Sequence, residues 1–286
     1  MPGRRSPAAW SRRLRMAGVT GALPLLVACA PGAAAPAPSG PPDTPEVTVV
    51  QMNLCDSGIA GCYTGRAVEA AAELVRTEVP DAVTLNEVCR AGVERIERAL
   101  AAAAPGSSTS SAFQPARDRD TGAPYRCANG DEYGIGVVSR APSSVASAGI
   151  HPAQDPRDPE ERAWLCLDTT TAGGPLGVCT SHLAYTDRAV TRAQCGYLFD
   201  TVVAGLRSRA DPGPVVVGAD LNLGAADDPD LRSCLPPGSA PAADDGVQHV
   251  VVIPAAAAAR TRVIDLGGTT DHPALLVTVR PEAGSA

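Results

Sequence analysis

The chain has 286 residues, with 24 basic residues (every one arginine) against 31 acidic ones and a net charge of −7. Five of the arginines lie before residue 16, so the remainder carries 19 basic against 31 acidic residues, a net of −12. That balance disfavours a nonspecific polyanion-binding surface, and the absence of any C-x-x-C pair argues against a structural zinc site.

In chain order, Arg4, Arg5, Arg12, Arg13 and Arg15 precede an apolar run from Met16 to Ala28. Residues 1–28 therefore read as a secretion signal, too short for a permanent membrane span. The run ends Leu26-Val27-Ala28-Cys29, which resembles a bacterial lipobox, with Cys29 lipidated as the mature N-terminus. The alternative is cleavage near Ala33-Ala34-Ala35 with Cys29 discarded. Export then yields either a cell-surface lipoprotein held to the membrane by its N-terminal acyl anchor or a secreted protein. Residues 29–45 form a Pro/Ala-rich tether, and 46–283 suit one α/β domain. After Cys29 eight cysteines remain, an even count that favours disulfides in an exported chain. Cys166–Cys179 is expected across the Gly173-Gly174 turn, and Cys55–Cys62 would close a short loop.

Within the domain, Val47 to Met52 reads as a strand running into Asn53. Thr64 is placed to cap a helix through about Val79, which Pro80 stops. Ala82 to Leu85 reads as a second strand reaching Glu87, followed by a helix over 91–104. Tyr133 to Ser139, Ala163 to Asp168 and Leu176 to Ser181 read as strands. Asp187 caps a long helix to about Arg207, and strands follow at 214–219, 247–253 and 273–279. The Pro/Gly/Asp-rich segment from Leu223 to Gly246 is long enough to suggest a substrate-facing loop. Several strand pairs are joined by turns too short for a crossover helix, which argues for two largely antiparallel sheets packed face to face with helices outside.

Five strand ends carry polar groups: Asn53, Asn86-Glu87, Ser181-His182, Asp220-Leu221-Asn222 and Asp271-His272. Each alone also fits an ordinary turn or a solvated strand end; their order together supplies the carboxylates, imidazoles and amides of a metal-assisted phosphate-ester hydrolase. The order Gln51-Met52-Asn53, Leu85-Asn86-Glu87, Tyr133-Gly134-Ile135-Gly136, Ser181-His182, Gly218-Ala219-Asp220-Leu221-Asn222 and Thr270-Asp271-His272 resembles the deoxyribonuclease-I-like endonuclease/exonuclease/phosphatase superfamily, over nearly all of residues 46–280. Ala219 as an insertion and Thr270 in place of Ser are departures.

The resemblance implies a four-layered αββα sandwich. It implies that Glu87 binds Mg²⁺ or Mn²⁺, with Asn53 close by and Asp271 holding a metal or positioning His272. Asp220 and Asn222 would orient water and phosphate, His272 would activate the water, and His182 and Arg162 would contact phosphate oxygens. The family's strand partner of the last histidine is an Asp, whereas Gln248 stands at that position here, and a carboxylate partner for His182 is expected in Glu132 or Asp131. The function expected is an exported, divalent-metal-dependent phosphodiesterase acting on nucleic acid, with no protein partner inferred. A phosphatase or phospholipid phosphodiesterase of sphingomyelinase or inositol-phosphate type is one alternative, and a noncatalytic surface binding module, motivated by Gln248, is another.

Overall fold

A computed structural model of the chain describes residues 46–171, 173–209, 213–239, 241–254 and 258–280. The secretion signal, Cys29 and the tether lie outside the described residues. The elements run β1 (Val47–Asn53), α1 (Ala67–Glu78), β2 (Ala82–Cys89), α2 (Arg90–Ala103), β3 (Ser110–Pro115), β4 (Arg117–Asp118), β5 (Tyr133–Ser139) and β6 (Ser143–Ile150). They continue with β7 (Glu160–Glu161), β8 (Ala163–Thr171), β9 (Gly174–Ser181), α3 (Arg188–Tyr197), a π-helical stretch Leu198–Val203 and α4 (Ala204–Arg207). The last strands are β10 (Val215–Asp220), β11 (Ala242–Ala243), β12 (Gln248–Ile253), β13 (Ala258–Ile264) and β14 (Ala274–Val279).

Two six-stranded sheets have the orders β13-β14-β1-β2-β5-β3 and β11-β12-β10-β9-β8-β6. Each contains one parallel pair, β1 with β2 and β9 with β10, and is otherwise antiparallel. A parallel pair needs a crossover: α1 supplies the first, and α3 to α4 the second. Strand alternation then sorts the side chains into layers. Val47, Val49, Leu275, Val277 and Val216 enter a core between the sheets. Val50, Met52 and Leu276 pack outward with α1 and α2, and Val215, Val217 and Ala219 pack outward with the α3–α4 side. The result is the expected αββα sandwich.

The extra residue in Gly218-Ala219-Asp220 is explained by this alternation. Ala219 points to the helix layer, so Gly218 and Asp220 both face the opposite sheet. A Cβ at Gly218 would lie 2.2 Å from Thr84 Oγ1, so only glycine allows the sheets to approach here.

Four disulfides are formed: Cys55–Cys62, Cys89–Cys127, Cys166–Cys179 and Cys195–Cys234. Cys166 and Cys179 face one another in the β8–β9 register, as the turn between them suggests.

Three expectations need correction. Thr64 does not cap α1, whose N-cap is Arg66 without a side-chain bond; its hydroxyl donates instead to Thr269 O at 2.6 Å. No described residue of the 223–246 segment lines the pocket of about 550 Å³ that forms at the strand ends; Cys234 ties the segment to α3 through Cys195. Strands β3, β6 and β13 were not anticipated, and all three are sheet edges. An edge strand lacks neighbours on one side and needs no long apolar run, and segments such as Ser110–Pro115 are half-buried throughout.

Candidate active site

The two parallel pairs end at the same place. β1 and β2 run together to Asn53 and Asn86, and a parallel bridge joins His182, just past β9, to Asp220 at the end of β10. Glu87 follows Asn86 at a register break in β2 and adopts a left-handed backbone, φ 51°. A non-glycine residue in that conformation costs on the order of 1–3 kcal/mol and persists only where its surroundings hold it.

A fully buried amide network supports these ends. Asn86 Oδ1 accepts from Gln51 Nε2 at 2.6 Å and from the Asp220 amide at 2.8 Å. Its Nδ2 donates to Thr180 Oγ1 and Ser181 O, so one side chain joins both sheets. Asn53 Nδ2 donates to Glu87 Oε1 at 2.9 Å and to Asp220 Oδ2 at 3.0 Å, while its Oδ1 accepts from the Cys55 amide. Asn53 thus clamps one carboxylate from each sheet, with both amide hydrogens in use.

Beyond Asp220 the chain turns sharply. The Asn222 amide donates to Asp220 Oδ1 at 3.1 Å, and Asn222 Nδ2 donates to Leu183 O at 2.9 Å. Thr270 Oγ1 donates to Asn53 O at 3.0 Å, so the threonine hydroxyl anchors the Asp271-His272 turn to β1. His272 Nε2 then lies 3.9 Å from Asp220 Oδ2 and 4.0 Å from Asp271 Oδ1. Burial raises the Asp220 pKa to about 6, against the opposing bond from Asn53 and the nearby His272.

His182 does not meet a carboxylate in the way expected. Glu132 pairs with Arg90, and Asp131 accepts from the Ala91 amide. The His182 Nδ1 instead meets Arg162 Nη1 at 2.8 Å. A guanidinium only donates, so Nδ1 is the acceptor and the imidazole proton sits on Nε2, which faces Glu87 Oε1 at 3.7 Å. Burial, and then the Arg162 charge, hold the His182 pKa well below its ordinary value.

Arg162 is itself buried and pinned, donating to Asp158 at 2.8 Å and pairing with Glu160 at 3.1 Å. Burial opposes its charge, but Glu160, Tyr133 and Asp158 outweigh it and raise its pKa. Burial pushes the Glu160 carboxyl up to about 7, with Arg162 opposing. Asp158 and Glu160 escaped the sequence reading, although their i, i+2, i+4 spacing with Arg162 on an extended segment is a usable signal.

Gln248 also departs from expectation. It is not bonded to His272: its Oε1 accepts from the Asn53 amide at 3.0 Å and its Nε2 donates to Pro273 O at 2.6 Å.

Glu87, Arg162, His182, Asp220, Asn222, Asp271 and His272 line a pocket of about 550 Å³ together with Ile59, Cys62, Tyr125, Tyr133 and Tyr185, whereas Asn53 and Gln248 lie buried behind it. Five carboxylates (Glu87, Asp158, Glu160, Asp220 and Asp271) share it with one arginine, Arg162. That excess of hard oxygen donors over positive charge fits a divalent cation of the Mg²⁺ or Mn²⁺ type. The Cys55 and Cys62 sulfurs lie beside Glu87, but they are bonded to one another and offer no thiolate.

A family model described as the Endonuclease/Exonuclease/phosphatase family matches residues 59–275. Among solved structures, an endonuclease/exonuclease/phosphatase from Beutenbergia cavernae DSM 12333 is similar with a TM-score of 0.59 and 20% identity, over 82% of this chain and 72% of that one. An endonuclease/exonuclease/phosphatase family protein from Leptotrichia buccalis C-1013-b gives 0.61 and 10%, over 82% and 99%. D. rerio TDP2 complexed with single-strand DNA product gives 0.57 and 15%, over 82% and 98%. At these identities the likeness to solved structures is one of fold. A search of curated proteins gave no match.

Proposed function

Because the chain belongs to the endonuclease/exonuclease/phosphatase family, whose members are phosphoric-ester hydrolases, we propose that it is an exported, divalent-metal-dependent phosphodiesterase that hydrolyses nucleic acid. The observation that carries this reading is the meeting of Glu87, Asp220, His182 and His272 around one pocket, from strand ends of both sheets.

Glu87 and Asp271 are the groups to hold Mg²⁺ or Mn²⁺, with Asn53 fixing the direction of the Glu87 carboxylate. A bound cation of this kind polarises phosphoryl oxygens and stabilises a leaving alkoxide. His182 presents its Nε2–H to a nonbridging phosphate oxygen, a donor set in place before the reaction begins. His272 takes a proton from the attacking water at Nε2, and Asp220 stabilises the imidazolium that results. Asn222 acts through its bonds to Asp220 and Leu183, holding the two strand ends together. Arg162 acts through His182 as much as through phosphate, since its guanidinium is committed to Asp158, Glu160 and that ring.

Four disulfides support export to an oxidising compartment. Retention at the membrane would depend on acylation of Cys29, which the mass of the mature N-terminus tests; an unmodified start near residue 34 would reject it. A phosphatase or phospholipid phosphodiesterase is the second reading, favoured by one fact: Arg162 is the sole arginine among the residues lining the pocket. A duplex tracked along its backbone calls for more positive charge.

The test is nicking of supercoiled plasmid and cutting of single-stranded DNA or RNA by the oxidised chain with Mg²⁺ or Mn²⁺, beside EDTA and a His182→Ala variant. Cleavage that requires both metal and His182 is expected. A folded sample that cuts phospholipid or inositol phosphates and no nucleic acid would overturn the substrate assignment.

A further inference from the structure

Tyr185 is 60% exposed, yet the backbone around it is tightly held. Before it, the Ala184 amide donates to Gln194 Oε1 at 2.7 Å, Ala184 O accepts from Thr191 Oγ1 at 2.6 Å, and Leu183 O accepts from Asn222. After it, Thr186 O accepts from Arg157 at 3.1 Å, and the Thr186 hydroxyl bonds Asp155. Such anchoring presents the ring in a fixed place without burying it. One side of the ring is taken by the Arg162 guanidinium, 5.7 Å from its centroid. Tyr185 also lines the pocket that holds Glu87, His182 and His272. Ile59, 62% exposed, lines the same pocket from the loop closed by Cys55–Cys62, where Ser57 Oγ accepts from its amide.

We propose that Tyr185 and Ile59 form a subsite for an unpaired nucleobase attached to the phosphate being cut, and that the substrate is therefore single-stranded nucleic acid or a free nucleotide rather than a duplex. The inference rests on the phosphodiesterase reading above and narrows its substrate. A rigid exposed aromatic is a stacking platform for a planar neutral ring. In a duplex both faces of a base are already stacked, so the platform has nothing to take. A cationic headgroup such as choline would also seek an aromatic face. Here Arg162 already occupies that role at Tyr185, and a second cation on the same ring would face its charge. The scarcity of arginine around the pocket points the same way, because stacking supplies affinity where backbone neutralisation is small.

The experiment compares the oxidised full chain with Tyr185→Ala and Tyr185→Trp variants on three probes: a single-stranded oligothymidylate, an oligomer of equal length built from abasic sites, and thymidine monophosphate. Binding is read by fluorescence of the Tyr185→Trp protein relative to the parent, and cleavage by kcat/KM. Tyr185→Ala is expected to lose on the order of tenfold to a hundredfold in affinity for the base-bearing oligomer. It should change the abasic oligomer by less than about threefold, and Tyr185→Trp should restore binding with quenched fluorescence. Strand against mononucleotide then identifies the source of the base. Equal losses on base-bearing and abasic oligomers, or quenching by phosphocholine in place of thymidine monophosphate, would overturn the subsite. Quenching by thymidine monophosphate without cleavage of any nucleic acid would leave the subsite standing and reject the nuclease reading. Cleavage indifferent to Tyr185 would do the reverse.

Discussion

Replacing Gln248 by Asp tests the scaffold of the site directly. By resemblance, Asp at this position would partner His272, and the substitution would raise the rate at neutral pH. The structure reverses that expectation. Gln248 is fully buried and has four partners: it accepts from the Asn53 amide at 3.0 Å and from Gln51 at 3.4 Å, and donates to Pro273 O at 2.6 Å and to Asp244 at 3.3 Å. An aspartate is one methylene shorter and has no amide hydrogens. It leaves Pro273 O without its donor, at about 1–3 kcal/mol, and weakens the bond to Asn53 by about 1 kcal/mol. It also brings a second carboxylate toward Asp244. A total near 3 kcal/mol lowers Tm by roughly 6–12 °C for a domain of this size. Because Asn53 clamps Glu87 and Asp220, metal-dependent hydrolysis should fall across the pH range. Thermal unfolding of the oxidised protein and a pH–rate profile measure both effects. A Gln248→Asp protein with unchanged Tm and a faster rate at neutral pH would refute the reasoning and restore the pairing with His272. Gln248→Glu is the companion variant. It keeps the reach, and its acid form can donate to Pro273 O. Burial and Asp244 would hold its folded pKa above the unfolded value, so its cost should be small below the unfolded pKa, grow as pH rises from there to the folded pKa, and level off above it.

Three further outcomes follow from individual residues. His151 is buried with its pKa lowered to about 3 from 6.5 by that burial, so the unfolded chain binds the extra proton between those values and stability falls as pH drops from 6.5 toward 3. The loss at pH 5 is about 2 kcal/mol; denaturant midpoints of the parent should fall with pH more steeply than those of His151→Phe, and parallel curves would reject the assignment. Gly218→Ala drives a methyl group into Thr84 and should cost about 1–3 kcal/mol, whereas Gly205→Ala, inside α4 and meeting nothing within 4 Å, should raise the unfolding midpoint slightly, with a gain of up to about 1 kcal/mol; equal effects would contradict the close approach of the sheets. Arg162→Ala leaves Asp158 and Glu160 without their partner and should destabilise by about 3 kcal/mol, while Arg162→Lys keeps the charge and recovers part of the stability. The ¹⁵N shifts of the His182 imidazole should show the Nε2–H form in the parent and a mixture in Arg162→Ala; an Nδ1–H form in the parent would contradict the assigned hydrogen bond.

The strand-end groups were legible because each borders a short apolar run: Asn53, Glu87, His182 and Asp220 follow one, and Asp271-His272 precedes one. Glu87, His182, Asp220 and His272 mark points where a strand leaves or enters the core, and the structure brings them to one pocket with Asn53 bonded to Glu87 and Asp220 behind it. The central strands were legible for the same reason: buried on two faces, they cannot avoid apolar composition. Edge strands such as β3 and β13 meet no such requirement. Partnerships across the sheets were also out of reach. Gln51, Asn86 and Gln248 are plainly polar residues in strand segments, but their meeting depends on how the two sheets are stacked, which no local pattern encodes.

The error over Gln248 and the error over His182 have one physical origin. At His182 a carboxylate partner was expected, and at Gln248 the family's carboxylate was taken as the missing partner of His272, both on the premise that a histidine at such a site needs a negative partner. At His182 a buried arginine already determines the tautomer, and its own charge is balanced by Asp158 and Glu160 one step farther out. At Gln248 the side chain serves the backbone of Asn53, so a carboxylate would lose a donor to Pro273 and gain repulsion from Asp244. Negative charge in this pocket is concentrated instead on Glu87, Asp220 and Asp271, the carboxylates nearest the two imidazoles. Amides and Arg162 hold that arrangement from behind. The neutral scaffold leaves the carboxylates facing the pocket as the main uncompensated charge, which is the condition under which the proposed divalent cation would bind there in preference to the surrounding surface.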